Sequence, residues 1–206
     1  MPPEDPAAIA CPADGRISQL GRIVDGRILQ AKGRDYSVAE LIGEAKSAES
    51  FRDGRFITVY LSPRDYHRVH APLAGTLRET LHIPGRIFSV APGTVEDVPN
   101  LFARNERLVC HFDGEHGPFS VILVGAMLVS GIETVWGGVE VPPYASSVVR
   151  KSWSDSAIRL GRFDELGRFN MGSTVIVLLP PGVSELDPAL LPEAAVKVGQ
   201  AIGRIG

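Results

Sequence analysis

Cysteine is nearly absent from this 206-residue chain, which holds only Cys11 and Cys110. Two thiols so far apart fit neither a zinc-ligand spacing nor a Cys-x-x-Cys redox pair. They suit buried or surface thiols of a reducing compartment, with one disulfide as the alternative. Long apolar runs are missing too. The longest strongly apolar stretch, Phe119 to Val129, suits a buried strand or strand pair and falls well short of the ~20 residues of a membrane span. The opening MPPEDPAAIACPADG lacks a charged start followed by an apolar core, so no signal peptide is expected. Neither sign of charge dominates. Lys and Arg total 21, Asp and Glu 24, and the net charge is −3, which gives no electrostatic reason to expect a nucleic-acid partner. Arg22, Arg27, Arg34, Arg52, Arg55, Arg64 and Arg68 are scattered, as on a solvated mixed-charge surface; a local patch facing anionic lipid is the alternative. Gly21, Gly26 and Gly33 make no phosphate-binding loop, because no strand–loop–helix of the right spacing surrounds them.

What is present points to a β-rich domain. A hydrophobic fraction of 44% supports a real core, and the length suits a single domain, residues 1–206. The 22 Gly and 16 Pro are spread along the chain and punctuate short β-branched runs. Strands are expected over 16–24, 55–61, 76–83, 107–112, 121–129, 132–141 and 174–179. One helix is expected at Ser37–Ile42, where Ser37 and Glu40 have the spacing of a capping box. Residues 99–104 suit a helical turn. A faint repeat links Cys11-Pro12-Ala13-Asp14-Gly15-Arg16-Ile17 with Ala71-Pro72-Leu73-Ala74-Gly75-Thr76-Leu77. Each is Pro-x-x-Gly followed by a strand. The pattern is similar to barrel-sandwich hybrid folds, in which glycine marks a strand switch; a common turn is the plain alternative.

Three places carry chemistry. The first is Gly172-Ser173-Thr174, followed at once by the apolar run Val175–Leu179. Alone it reads as a turn. It also suits a backbone that cuts itself, with the Ser173 hydroxyl attacking the Gly172 carbonyl, an ester forming, and β-elimination leaving a precursor of a pyruvoyl group. The second is Tyr60 to Pro72, which holds His67 and His70. A helical turn opened by Pro63 would put both on one face, and an extended chain would oppose them. A metal site would need a third ligand, and none is obvious. A structural pair and an acid/base role remain open. The third is Asp14, in the turn sequence Pro-Ala-Asp-Gly. A serine nucleophile needs a base, and that base needs an acceptor, so Ser173, His70 and Asp14 could form such a set. Trp136 and Trp153 suit packing. Glu133, inside an apolar run, suits a paired acid or an outward strand position.

Taken together, these motifs resemble the phosphatidylserine decarboxylase proenzymes, especially the bacterial type. The resemblance runs from Pro12-Ala13-Asp14-Gly15 through Ile28–Gly33, Tyr60–His70, Val98–Arg107, Leu123–Ala126 and Ile132–Trp136 to Gly167–Ile176. It implies decarboxylation of phosphatidylserine to phosphatidylethanolamine. It also implies self-cleavage between Gly172 and Ser173, giving a β chain 1–172 and an α chain 173–206 that stay associated. Ser173 matches the self-cleaving serine that becomes the covalent pyruvoyl (pyruvate) cofactor and Schiff-base site. Asp14 and His70 match the maturation triad, and His67 matches the acid/base of decarboxylation. No metal is implied. A homodimer and a peripheral place on the cytoplasmic face of an anionic membrane are implied.

Bacterial relatives usually carry an N-terminal extension with hydrophobic helices, and only about ten residues precede Pro12 here, so a short peripheral form or a truncated chain is expected. Met171 stands where Leu is more usual, and Cys11 replaces a small or apolar residue. Residues 81–107 read as a long connection with little periodicity, either a lipid-facing lid containing Phe88 and Phe102 or a packed segment. The rivals are a pyruvoyl decarboxylase of another serine-headgroup lipid or amino acid, and a non-enzymatic hybrid-fold carrier or binding module. A lipoyl-type carrier needs an exposed hairpin lysine, which the repeats lack.

Overall fold

β-Branched and aliphatic residues in short runs between glycines and prolines can bury themselves only by pairing. The computed structural model describes residues 3–126, 131–141, 146–169, 173–182 and 184–206. In it strand residues make up 48% against 13% helical, so the fold is mainly β, with several antiparallel sheets and a few short helices. Among the described residues the largest sheet has nine strands. From one edge they run Val149–Ser152, Gly75–Ile83, Arg107–Gly114, Gly117–Val124, Ser173–Leu179, Arg55–Leu61, Gly15–Arg22 and Ala195–Val196, with Arg159–Leu160 also pairing to Gly75–Ile83. A four-stranded sheet orders Gly138–Val141, Ile132–Thr134, Glu165–Phe169 and Arg68–His70. A third sheet joins Ala8–Ala10, Ala201–Ile205 and Ser184–Leu186.

The strand Ser173–Leu179 sits in the middle of the large sheet, and all seven of its residues are buried. Neither face meets water, which explains its unbroken apolar run where a one-sided strand would alternate. Burial of Val175, Ile176, Val177, Leu178 and Leu179 contributes roughly 10 kcal/mol, at about 1.5–3 kcal/mol per aliphatic side chain.

The Pro-x-x-Gly repeat has a structural counterpart. Its two copies exchange hydrogen bonds reciprocally: Ala10 N–H donates to Pro72 O (3.0 Å) and His70 N–H to Pro12 O (2.8 Å). Each copy also embraces a turn in the same way. Cys11 N–H donates to Gln200 O and Cys11 O accepts from Gly199 N–H; Ala71 N–H donates to Asp164 O and Ala71 O accepts from Phe163 N–H. Glycine is required in both copies by close approach. A Cβ on Gly15 would collide with the Tyr60 carbonyl oxygen, and one on Gly75 would lie 2.7 Å from the Phe119 ring.

The expected helix forms as Val38–Ile42, and the Ser37 hydroxyl caps it by accepting from the Ala39 and Glu40 N–H groups at 3.1 and 3.4 Å. Its far end is capped by a buried cation. The Arg107 guanidinium donates to Leu41 O, Glu40 O and Asn105 O, where the helix carbonyls carry partial negative charge. Burial pushes this guanidinium down to about 10.

Two expectations are corrected and one open alternative is decided. The run 132–141 is a hairpin, Ile132–Thr134 with Gly138–Val141, because Gly137 and Gly138 permit a turn. The strand expected over 121–129 is Gly117–Val124, and residues 127–130 lie outside the described residues. Between Leu81 and Arg107 the chain forms the helices Pro92–Asp97 and Leu101–Arg104 and is packed. Phe102 is buried with its ring 6.0 Å from Tyr36, and Phe88 lies under Arg104, so they do not form an open lid. The buried Gln30 side chain stitches this region: its Nε2 donates to Val95 O and Val98 O at 2.7 and 2.8 Å, and its Oε1 accepts from Leu101 N–H at 2.8 Å. Gln30→Leu should therefore lower stability by about 2–4 kcal/mol through stranded buried backbone groups, read as a lower urea midpoint at unchanged slope.

Candidate active site

Residues 55–61 and 68–70 pair antiparallel with 173–179 and 165–169, one pairing in each major sheet. Ser173–Leu179 pairs with Arg55–Leu61 in the large sheet, Ser173 opposite Leu61. Glu165–Phe169 pairs with Arg68–His70 in the four-stranded sheet, Arg168 opposite Arg68. Both segments leave one sheet for the other at the same place. On the first, Ser62-Pro63-Arg64-Asp65 forms a turn: Asp65 N–H donates to Ser62 O (2.9 Å) and Ser62 N–H to the Asp65 carboxylate (2.8 Å). Pro63 opens this β-turn, as suits its fixed φ, rather than a helical one. On the second, Phe169 N–H donates to His67 O (3.0 Å), and the next described residue is Ser173. Asn170, Met171 and Gly172 lie outside the described residues.

The Ser173 hydroxyl is therefore delivered to the crossing between sheets. It is fully buried and has no hydrogen-bond partner among the described residues, and neither has the neighbouring Thr174 hydroxyl. A buried hydroxyl left unpaired is costly and calls for an explanation. Two more unpartnered atoms come from the facing segment. His67 Nε2 and His70 Nε2 are both buried and unpaired.

The geometry assigns the His70 tautomer. Its Nδ1 lies 2.7 Å from the Phe163 carbonyl oxygen. A carbonyl can only accept, so Nδ1 donates, and the neutral ring presents a bare lone pair at Nε2. The imidazole also stacks on the Phe163 ring, centroids 4.8 Å apart. Beside it Arg68 binds both oxygens of Glu165, at 2.7 and 2.6 Å.

Asp14 stands elsewhere than a simple triad requires. The hydrogen bond from His70 N–H to Pro12 O brings the Pro12–Asp14 turn against the histidine strand. The Asp14 carboxylate, however, accepts from Lys197 Nζ (2.8 Å) and Val198 N–H (2.8 Å), while Phe163 O occupies His70 Nδ1. Desolvation alone would raise the Asp14 carboxyl, but the Lys197 and Val198 hydrogen bonds and the Lys197 charge outweigh it and hold the group below its usual range. Sequence reasoning missed Phe163 and Lys197. Nothing local marks Phe163, and Lys197 carries no signal of its own in the sequence. Glu133 proves to be a paired acid, bound by Arg168. Trp153 donates to the Thr80 hydroxyl (2.9 Å), and both tryptophans pack against the core.

A buried hydroxyl on one strand end, with imidazoles bearing unpaired nitrogens on the facing segment, belongs to the nucleophile-and-base class of sites. Residues 1–204 match the sequence profile of a family described as phosphatidylserine decarboxylase. The chain is 60% identical over 204 residues to the phosphatidylserine decarboxylase proenzyme of Xanthomonas euvesicatoria pv. vesicatoria (strain 85-10), spanning 99% of this chain and 73% of the relative. It is 59% identical over 201 residues to the proenzyme of the same name from Stenotrophomonas maltophilia (strain R551-3), spanning 98% and 72%. The chain belongs to the phosphatidylserine decarboxylase family.

Asp14 carries a pH signature. Its carboxyl is depressed in the folded state, so its contribution to stability is present above the unfolded value of about 3.9 and is lost as pH falls through the lower folded value. Asp14→Asn should flatten the loss of thermal midpoint below about pH 4, measured by circular dichroism across a pH series.

Proposed function

We propose that this chain decarboxylates phosphatidylserine to phosphatidylethanolamine after cutting itself between Gly172 and Ser173. The observation that carries the reading is the buried Ser173 hydroxyl, without a hydrogen-bond partner among the described residues, at the start of its strand, in a member of this family. His70 Nε2 is the base that takes the hydroxyl proton. Oγ then adds to the Gly172 carbonyl, and the peptide nitrogen leaves with a proton, so the amide becomes an ester. Loss of the Ser173 Cα proton expels the Gly172 carboxylate and leaves dehydroalanine. Water hydrolyses that residue to the pyruvoyl group and ammonia.

The residues fit such a group. Thr174 Oγ1, His67 Nε2 and His70 Nε2 are buried polar atoms without a hydrogen-bond partner among the described residues, carried by the Ser173 strand and by the segment that follows its neighbour Arg55–Leu61. When formed, the group supplies the electron sink for loss of CO₂, the role a pyridoxal ring plays elsewhere. His67 Nε2 holds the proton that returns to the substrate Cα. Asp14 ties residues 197–198, which follow the cut, to a segment that precedes it. Together with the buried strand Ser173–Leu179, this contact keeps the β chain 1–172 and α chain 173–206 associated.

The enzyme meets its lipid peripherally, at the cytoplasmic face. Support comes from an exposed apolar neighbourhood: Val135 and Val139 on the 132–141 hairpin, with Val148 and Val149. The Lys151–Glu140 ion pair (2.7 Å) links the strand of Val139 to that of Val149, and Arg150 pairs with Glu44 and Glu79, so the support is the exposed apolar surface itself.

Intact mass of purified protein should show two fragments divided at Gly172/Ser173, the smaller one blocked and ketone-reactive. Ser173→Ala and His70→Ala should remain single full-length chains. His67→Ala should cut itself yet lose roughly 10²–10⁴ in decarboxylation rate. A wild-type chain that stays whole for days at neutral pH would refute self-processing. Val139→Asp with Val149→Asp should reduce co-sedimentation with phosphatidylserine vesicles and leave cleavage intact; unchanged sedimentation rejects this surface.

A further inference from the structure

Phe163 breaks a backbone rule beside His70. It occupies the third position of the turn Gly161-Arg162-Phe163-Asp164, closed by Asp164 N–H donating to Gly161 O (3.1 Å). Its φ is 74°, the left-handed value a type II turn demands at that position, where glycine is the ordinary choice. Bulky residues held there mark strain that something else retains.

The molecule contains its own control. The turn embraced by the other Pro-x-x-Gly copy is Lys197-Val198-Gly199-Gln200, closed by Gln200 N–H donating to Lys197 O (2.9 Å). The two turns match in detail. Phe163 N–H donates to Ala71 O as Gly199 N–H donates to Cys11 O. The Asp164 carboxylate accepts from Gly161 N–H as the Gln200 side-chain oxygen accepts from Lys197 N–H. The residue equivalent to Phe163 is Gly199, with φ 79°. The residue equivalent to His70 is Ala10, since Ala10 N–H binds Pro72 O as His70 N–H binds Pro12 O. Where the fold places alanine, its turn carries the unstrained glycine. Where it places the histidine, the turn carries a strained phenylalanine whose ring stacks on the imidazole and whose carbonyl takes its Nδ1 proton.

We infer that Phe163 is the positioning residue for His70: its carbonyl selects the tautomer that leaves Nε2 bare, and its ring holds the imidazole plane. It therefore performs the orienting task that a carboxylate performs in a serine–histidine–aspartate set. This inference rests on the reading of His70 as the maturation base.

Two variants and one spectroscopic signature test it. Phe163→Gly gives the turn its preferred residue and removes the ring, and Phe163→Leu keeps bulk and strain without a stacking face. Both should retain a thermal midpoint near the parent value and slow self-cleavage at least roughly tenfold, because misorientation of a base costs rate. Phe163→Tyr, which keeps the stack, should cleave at the parent rate. In the uncut Ser173→Ala background, ¹⁵N-histidine NMR should show neutral His70 protonated on Nδ1, with ring protons shifted upfield by the phenyl face. Adding Phe163→Gly or Phe163→Leu, which keep the backbone carbonyl, should abolish the upfield shift and leave the proton on Nδ1. Parent-like cleavage in both variants, or a neutral His70 protonated on Nε2 in the Ser173→Ala parent, overturns the inference. A parent chain that never cuts itself would count against self-processing instead, and the tautomer signals would still decide the role of Phe163.

Discussion

The site depends on one constraint: the strand Ser173–Leu179 has no solvent face. It is hydrogen-bonded on both edges, to Arg55–Leu61 and to Gly117–Val124, and covered above and below. Its first residue can take few positions, so the Ser173 hydroxyl is set by the sheet and not by a loop. The facing segment is under the same control, because Arg55–Leu61 is the neighbour of that strand and continues, after the Ser62–Asp65 turn, into His67 and His70. The Ser173 hydroxyl and two imidazoles thus come from two segments whose spacing is fixed by one antiparallel ladder. Sites carried on regular elements are held more tightly than sites on loops.

Electrostatically the site is sparing. The buried Ser173 and Thr174 hydroxyls carry no charge, and the charged pairs Arg68–Glu165 and Asp14–Lys197 are only partly buried at the margin. Fully burying an ion pair costs desolvation that its own attraction must recover. A neutral imidazole oriented by a backbone carbonyl avoids that cost, and the Asp14 carboxylate, held by a lysine and a backbone N–H, has its hydrogen-bonding capacity engaged with the C-terminal segment instead.

Much of this was legible in the chain itself, for physical reasons. The strand 55–61 and the run from Thr174 to Leu179 alternate little and carry no breakers, so their burial could be read from apolar continuity. Ser37 announced a helix start because its hydroxyl competes for N–H groups only at such a place. The Pro-x-x-Gly echo was visible, since proline and glycine keep their meaning out of context. What stayed hidden depends on long-range contact. Gln30 looks like a surface residue until it meets Val95, Val98 and Leu101. Arg107 gives no sign that it closes a helix about 65 positions earlier. The hairpin within 132–141 was masked by apolar residues on both arms. Phe163 violates local preference, and a violation of that kind shows only in the backbone angle it forces.

The central position of Ser173–Leu179 also sets an order of events. A strand with partners on both edges is among the last things a folding sheet could receive as a loose piece. A bond broken at Gly172 is therefore broken in a structure already assembled. Under the proposed cleavage the two pieces would share one sheet without sharing a chain, and loss of the fold would become dissociation, with its dependence on concentration. Folding would be an intramolecular process that the protein performs once, and each mature molecule would have only its contacts to keep the arrangement that chain connectivity first made easy to find.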